Sequence, residues 1–216
     1  MTLVKVCGIR SLDDGRAALQ AGADLLGFIF WQPGKRYIPP PTAAGIISAL
    51  RAERRDWRAV GVFVDPDPAE VAEAAAVCSL DYVQLSGHEP ASLVGSMPRP
   101  TIKAVHVRAG EEAAAAEVVE TNALGADIYL LDTHARGLPG GTGVAFDWRE
   151  TPLRQVAPRC LVAGGLNPNN VRTALDALGP LGVDVSSGVE FPNGGKDPRA
   201  VKSFLEAVRS HDSHPV

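Results

Sequence analysis

Residues 3–30 read LVKVCGIRSLDDGRAALQAGADLLGFIF. Two short apolar runs, Leu3 to Val6 and Leu25 to Phe30, flank a stretch with helical spacing at 12–21. Because a helix between two strands returns the chain to the starting end of the sheet, this order predicts two parallel strands joined by a helical crossover.

The same alternation continues along the chain and predicts eight strands and eight helices. The other predicted strands are Ala59 to Val64, Tyr82 to Leu85, Thr101 to Val105, Ile128 to Leu131, Cys160 to Ala163 and Val183 to Val185. The other predicted helices lie near 41–55, 68–78, 89–96, 110–124, 147–157, 169–178 and 198–209. Eight units of about 25 residues predict a single (β/α)8 TIM barrel.

An open, doubly wound sheet is the alternative fold. Dinucleotide-binding sheets of that kind carry a Gly-x-Gly-x-x-Gly turn after the first strand, and this chain does not, so the barrel is preferred. The barrel domain is predicted to span 1–210. The tail at 211–216 is predicted to be frayed, because the sequence SHDSHPV at 210–216 has no apolar face to bury.

Composition excludes several classes of protein. The 216 residues are 45% hydrophobic and 21% charged, with a formal charge of -4 and no basic run, so neither nucleic acid nor a membrane is expected as a partner. The three cysteines lack paired spacing, which predicts no metal site and a reducing compartment. The N-terminus lacks the pattern of a signal peptide, so a cytoplasmic location is expected. The protein is expected to be a monomer or a homodimer and to bind a small phosphorylated molecule.

Glycines follow three of the predicted strands. Gly140-Gly141-Thr142-Gly143 follows strand six, Gly164-Gly165 strand seven, and Ser186-Ser187-Gly188 strand eight. Backbone N–H groups without side chains nearby can bind phosphate oxygens, and barrels often bind phosphate after strands seven and eight. The pattern predicts a phosphate cradle with a short helix that begins at Ser187. The alternative is that the glycines only permit tight turns.

Two reactive side chains end other strands. Cys7 follows strand one, and Gly8 after it would leave the sulfur accessible as a nucleophile or base. Asp132 ends the apolar run IYLLD, where partial burial would make it a general acid, unless it only caps the turn at Thr133.

Arg36 lies in the long loop after strand two, between Trp31 and Tyr37. Its planar guanidinium suits a carboxylate, and the two aromatic residues favour an aromatic acid. A surface arginine without such a role is the alternative.

Long strings of the chain resemble the phosphoribosylanthranilate isomerase family of tryptophan biosynthesis. They are VKVCGIR, GFIFWQPGKRYI, GVFVD, YVQLSGHE, LLDT, GGTG with FDW, LVAGGLNPNNV, and GVDVSSGVE with GGKD, in this order over nearly the whole sequence. The resemblance implies a cofactor-free Amadori rearrangement of N-(5-phosphoribosyl)anthranilate, with Cys7 as base, Asp132 as acid and Arg36 on the anthranilate carboxylate. The predicted substrate-binding residues are Arg36, Gly141, Gly164, Gly165, Asp184, Ser186, Ser187 and Gly188.

The chain departs from the family pattern at three places. Val144 stands where a lysine is usual, Ser86 where a histidine is usual, and Gly34-Lys35-Arg36 where Ser-Pro-Arg is frequent. None of these departures removes a proposed catalytic group.

Three rival functions are open. A lysine-dependent aldolase or decarboxylase could use Lys5 or Lys103, but Lys5 is expected to be an ion-paired lysine in the barrel interior. A barrel that only binds phosphorylated ligands would not need Cys7 with Asp132. The similar histidine-pathway isomerase acts on a substrate with two phosphates, and it is disfavoured because the loops after strands three and four carry three carboxylates.

Overall fold

The computed structural model describes residues 1–108, 110–132 and 151–213. Its strands are β1 (Leu3–Cys7), β2 (Leu25–Ile29), β3 (Arg58–Phe63), β4 (Tyr82–Leu85), β5 (Thr101–His106), β6 (Ile128–Asp132), β7 (Cys160–Ala163) and β8 (Gly182–Val185). Its α-helices are α1 (Leu12–Ala21), α2 (Pro40–Glu53), α3 (Pro68–Val77), α4 (Ala91–Val94), α5 (Glu112–Glu120), α6 (Leu153–Val156), α7 (Val171–Leu178) and α8 (Pro198–Ser213). Two 3-10 helices lie at Ala157–Arg159 and Ser187–Val189. None of these helices is both long and apolar enough to cross a lipid bilayer.

The eight strands form one closed parallel barrel. Each strand pairs with the next along the chain, and β8 pairs with β1, for example at Lys5 and Asp184. The predicted (β/α)8 barrel is therefore confirmed, and the open sheet is not formed. Because all strands run in the same direction, their carboxyl ends meet at one rim.

Alternation along the strands separates two apolar cores. On β1, Val4 and Val6 point outward and join the larger core between the sheet and the helices, whereas Cys7 points inward. The inward side chains fill the barrel with a smaller core of Cys7, Leu25, Val60, Val62, Ile102, Ala104, Leu130, Leu161 and Ala163. The interior of the barrel is thus filled by side chains below its rim.

The start of α1 is tied to the loop that follows β8. Ser11 and Asp14 form a capping box, in which each side chain accepts a hydrogen bond from the other residue's backbone N–H. The buried carboxylate of Asp14 also accepts a hydrogen bond of 2.9 Å from the N–H of Lys196. This contact holds the segment that carries Lys196 against the barrel.

The observed boundaries differ from the predicted ones by a few residues. β1 and β6 are each one residue longer than predicted and end on Cys7 and Asp132 themselves. α5 ends at Glu120 rather than 124, since Asn122 has a positive φ of 50° that interrupts the helix. α4 is shorter than predicted, and of the helix predicted at 147–157, residues 147–150 lie outside the described part of the chain.

The prediction that the chain is frayed from 211 was wrong as far as Ser213. α8 continues to that residue because its last turn has tertiary partners. Asp212 accepts a hydrogen bond of 2.6 Å from the Thr2 hydroxyl, and His211 lies 3.2 Å from Asp176. An apolar face was not needed, since the end of the helix has polar contacts to Thr2, just before β1, and to α7.

Candidate active site

Cys7 lies at the mouth of the barrel beside a fully buried lysine. The Lys5 ammonium is 2.9 Å from the Asp184 carboxylate, its register partner on β8. On the other side, Gly27 of β2 is the register partner of Cys7. A Cβ at Gly27 would lie 2.8 Å from the Cys7 sulfur and 3.2 Å from Lys5 Nζ, so the thiol and the ammonium occupy the space that glycine leaves. As predicted, Lys5 is an ion-paired interior lysine.

The surroundings favour a neutral thiol at Cys7. Burial raises the pKa of Cys7, against the lowering effect of Lys5 and Lys196. Burial alone would lower the pKa of Lys5, but Asp184 and Cys7 outweigh it and raise that pKa. Cys7 is only 6% exposed, so the expectation of an accessible sulfur was wrong. A thiolate formed here would be stabilised by the ammonium of Lys5.

Arg36 reaches from the β2–α2 loop to the residues that follow β8. Its Nε and Nη2 atoms each donate a hydrogen bond of 2.7 Å to the Glu190 carboxylate. Lys196, which is buried, donates to the same carboxylate at 2.8 Å and to the Ser186 carbonyl at 3.1 Å. The cluster of Arg36, Glu190 and Lys196 therefore carries one net positive charge at the mouth.

The protonation of this cluster is set by its ion pairs. Burial works to raise the pKa of Glu190, but hydrogen bonds from Arg36 and Lys196 lower it to about 2. Burial lowers the pKa of Lys196, and Glu190 opposes this shift. Glu190 is thus ionised near neutrality and holds the fork of Arg36 in place. A ligand carboxylate at Arg36 would meet a guanidinium that is already oriented.

Trp31 and Tyr37 do not flank Arg36 as expected. Both line a cavity of about 520 Å³ that lies between the β2–α2 loop and α3, together with Phe30 and Phe63. Arg36 is not part of its lining, because its side chain turns toward Glu190. An aromatic pocket built from Trp31, Arg36 and Tyr37 together is therefore not formed in this structure.

Backbone N–H groups are open after β7 and β8. Gly164 and Gly165 both have positive φ, 103° and 67°, which glycine adopts without strain. A Cβ at Gly188 would overlap the Leu166 carbonyl, so the loops after β7 and β8 touch there. Within the described ranges, the N–H groups of Gly165, Ser187 and Gly188 have no protein acceptor. The predicted short helix is present at Ser187–Val189, and Gly141 lies outside the described residues.

Asp132 is the last residue of β6. Around the barrel, β7 and β8 lie between β6 and β1, the strand that ends at Cys7. It is the register partner of His106 at the end of β5, and His106 Nδ1 lies 3.3 Å from Asp132 Oδ2. His106 Nε2 is 2.9 Å from the carbonyl oxygen of Ser86. Asp132 is therefore not an isolated carboxylate in apolar surroundings, but one member of a polar group on β4, β5 and β6.

Carboxylates bind the backbone donors after β3 and β4. Glu89 is buried and accepts hydrogen bonds of 2.9 Å from the N–H groups of Asp65 and Gly87. Asp65 accepts one of 2.6 Å from the N–H of His88. Lys103 lies 2.9 Å from Glu89 and donates to the Gly87 carbonyl at 2.9 Å. Lys103 is thus engaged by a buried carboxylate and by a backbone carbonyl, an arrangement that does not suit an amine nucleophile.

The N-(5'-phosphoribosyl)anthranilate (PRA) isomerase family model matches residues 4–207. The chain belongs to this family. A relative of that name from Desulforudis audaxviator is 44% identical over 209 residues, which cover 97% of this chain and 98% of the relative. The phosphoribosyl anthranilate isomerase structure from Thermotoga maritima is 36% identical, with a TM-score of 0.85, and covers 97% of this chain and 100% of that one.

Another solved phosphoribosyl anthranilate isomerase contains reduced 1-(o-carboxyphenylamino)-1-deoxyribulose 5-phosphate. It is 36% identical to this chain, with a TM-score of 0.82, and covers 97% of this chain and 100% of its own. The resemblance found in the sequence strings is thus confirmed at the level of the family and of the fold.

Sequence reasoning missed three residues that contact the predicted site residues, namely Glu190, Lys196 and His106. Glu190 and Lys196 lie within the strings GVDVSSGVE and GGKD, so their collinear match to the family was the available signal. His106 gave no signal, because its role depends on the register of β5 against β6. No group of three or more metal-ligating side chains was found among the described residues, and the absence of a metal and a cofactor stays a prediction.

Proposed function

We propose that this chain catalyses the Amadori rearrangement of N-(5-phosphoribosyl)anthranilate to 1-(2-carboxyphenylamino)-1-deoxyribulose 5-phosphate in tryptophan biosynthesis. The observation that carries the proposal is the position of Cys7 and Asp132. They are the last residues of β1 and β6 in a closed barrel whose sequence matches the family from 4 to 207. Residues at the carboxyl ends of barrel strands reach the ligand at the mouth.

The phosphate binds after β7 and β8. The open N–H groups of Gly165, Ser187 and Gly188 lie on the two loops that touch at Gly188 and Leu166, where glycine permits the backbone to approach an anion. The net positive cluster of Arg36, Lys196 and Glu190 adjoins this half of the mouth. From there Arg36, oriented by Glu190, binds the anthranilate carboxylate.

The reaction begins when Asp132 donates a proton to the ring oxygen of the ribose. The C1–O bond breaks, and the nitrogen lone pair forms the C=N bond of an iminium. Cys7, as the thiolate, then removes the proton from C2′, and the electrons of that C–H bond form the enolamine. The enolamine then tautomerises to the ketone. Over these steps Asp132 gives one proton to the substrate and Cys7 takes one from it.

Lys5 stabilises the charged form of Cys7. Three cations, Lys5, Lys196 and Arg36, interact with the thiol, whereas their ion-pair partners supply only two carboxylates, Asp184 and Glu190. A thiolate would therefore balance the charge of this buried group, although burial keeps most of the resting enzyme in the thiol form. Asp184 acts through Lys5 here, in addition to its predicted place at the substrate.

The test is turnover by the purified protein. Phosphoribosylanthranilate should be consumed with loss of its aromatic fluorescence, and the expected ketose phosphate should be identified by mass and by NMR. Consumption no faster than the uncatalysed rate would contradict the proposal. Borohydride added with substrate should trap no adduct on Lys5 or Lys103, and a trapped adduct would favour the lysine-dependent rival.

A further inference from the structure

His106 is held at both nitrogens of its ring. Nε2 lies 2.9 Å from the Ser86 carbonyl oxygen, after β4, and Nδ1 lies 3.3 Å from Asp132 Oδ2, on β6. The side chains of His106 and Asp132 are 43% and 31% exposed, so both reach the mouth of the barrel. The ring therefore links two neighbouring strands at the position of the proposed acid.

These two contacts determine where protons must lie. A carbonyl oxygen only accepts hydrogen bonds, so Nε2 must carry the proton that is donated to Ser86. In a neutral ring, Nδ1 would then turn a bare lone pair toward the carboxylate of Asp132. The contact at 3.3 Å is attractive only if a second proton lies between Nδ1 and Oδ2, on one atom or the other. The pair therefore holds one transferable proton.

The charges around the ring favour retention of that proton. The hydrogen bond with Asp132 raises the pKa of His106, aided by the Ser86 carbonyl and opposed by burial and by Lys103. Lys103 is itself paired with Glu89 at 2.9 Å, which weakens its effect on the ring. Among the described residues, Asp132 and Lys103 are the charged groups that act on His106.

We propose that His106 is a positioning residue that keeps the acid Asp132 supplied with its proton, an inference that rests on the proposed function. The Nδ1 proton moves to the carboxylate of Asp132, which passes it to the ribose ring oxygen as the C1–O bond breaks. His106 is then neutral and Asp132 is a carboxylate. The proton that Cys7 removes from C2′ leaves to solvent, and the pair takes one proton back from solvent.

The pH dependence of kcat/KM in His106→Asn distinguishes proton supply by His106 from a purely structural role. Without the imidazole, the acid would keep its proton only in the range of an ordinary carboxyl group, well below the range in which a histidine keeps its proton. The variant should lose about 100-fold in kcat/KM at pH 8 and about tenfold or less at pH 5, while it binds the product analogue normally. His88→Asn is the matched control, because His88 lies 3.8 Å from Asp65 but is 90% exposed, and its profile should not change.

An equal loss by His106→Asn at every pH, or no loss, would overturn the proposal. NMR titration tests the pair without the reaction: the midpoint of His106 should fall in Asp132→Asn relative to the wild-type protein. An unchanged midpoint would show that the two groups do not share a proton. If the wild-type protein has no turnover, the proposed function fails, and the titration still decides whether the pair exists.

Discussion

The two halves of the barrel mouth use the same backbone groups in opposite ways. After β7 and β8, the N–H groups of Gly165, Ser187 and Gly188 have no acceptor within the described part of the chain. After β3 and β4, by contrast, carboxylates of the protein accept the hydrogen bonds of the corresponding donors, as Glu89 does from Gly87. We call these the open half and the closed half.

The comparison shows that glycine alone does not make an anion site. Both halves contain a glycine whose added Cβ would overlap a neighbour, Gly188 at Leu166 and Gly87 at Asp65. What differs is whether the protein already supplies the negative partner. The open half is therefore suited to one ligand phosphate, and the closed half repels a second one.

The largest losses of turnover are expected at the two groups that take part in the reaction, Cys7 and Asp132. Cys7→Ala and Asp132→Asn should each lose about 10² to 10⁴ in turnover, the range for one general acid or base, with an unchanged circular dichroism spectrum. The double variant should lose less than the product of the two single losses, because both groups act in one reaction. Near wild-type turnover in either single variant would refute its role.

A matched pair of glycine substitutions tests the halves themselves. Gly188→Ala should raise the KM for the phosphorylated substrate about 10- to 100-fold, since the backbone must shift where charge-assisted hydrogen bonds form. Gly87→Ala displaces only the exposed Asp65 side chain, so KM should change less than about threefold. Melting temperatures of both variants serve as the control for folding. Equal increases in KM for Gly188→Ala and Gly87→Ala would show that the open half does not differ from the closed half in phosphate binding.

Arg36 lies beside the open half and should contribute through the anthranilate carboxylate. Arg36→Ala should weaken binding of a reduced product analogue by about 1.5 to 3 kcal/mol, measured by calorimetry. For an analogue without the ring carboxylate, the loss should vanish. If both analogues weaken equally, Arg36 acts on the phosphate or on the loop.

The smallest effect concerns how Glu190 stabilises the open half. Because its pKa is lowered to about 2 in the folded state, Glu190 contributes stability above pH 4.5 that is lost as the pH falls toward 2. Glu190→Gln should therefore have a lower melting temperature than the wild type at pH 7, and the gap should narrow below pH 4.5. Glu53→Gln, which breaks an exposed pair with Arg16, should show little gap at either pH. A gap for Glu190→Gln that does not depend on pH would contradict this account.

The sequence allowed the barrel, the eight strands and the strand ends to be predicted, because these follow from apolar periodicity that local residues determine. It also placed Lys5 correctly, since alternation along β1 fixes its side chain inside the barrel. Side-chain partners between distant segments were not accessible in this way. The turn of Arg36 toward Glu190, the burial of Cys7 beside Gly27 and the pairing of His106 with Asp132 depend on how segments far apart in the sequence come together. The two residues of these pairs are 154, 20 and 26 positions apart.

We expect the mouth to bind one phosphate, in the open half, and a crystal soaked with an anion would show where that anion lies. In crystals soaked with phosphate or sulfate, we expect one well-ordered anion, held by the N–H groups of Gly165, Ser187 and Gly188. The Asp65 to Glu89 region should bind none. A second ordered anion there, or turnover of the histidine-pathway substrate with two phosphates at a comparable rate, would contradict binding of a single phosphate.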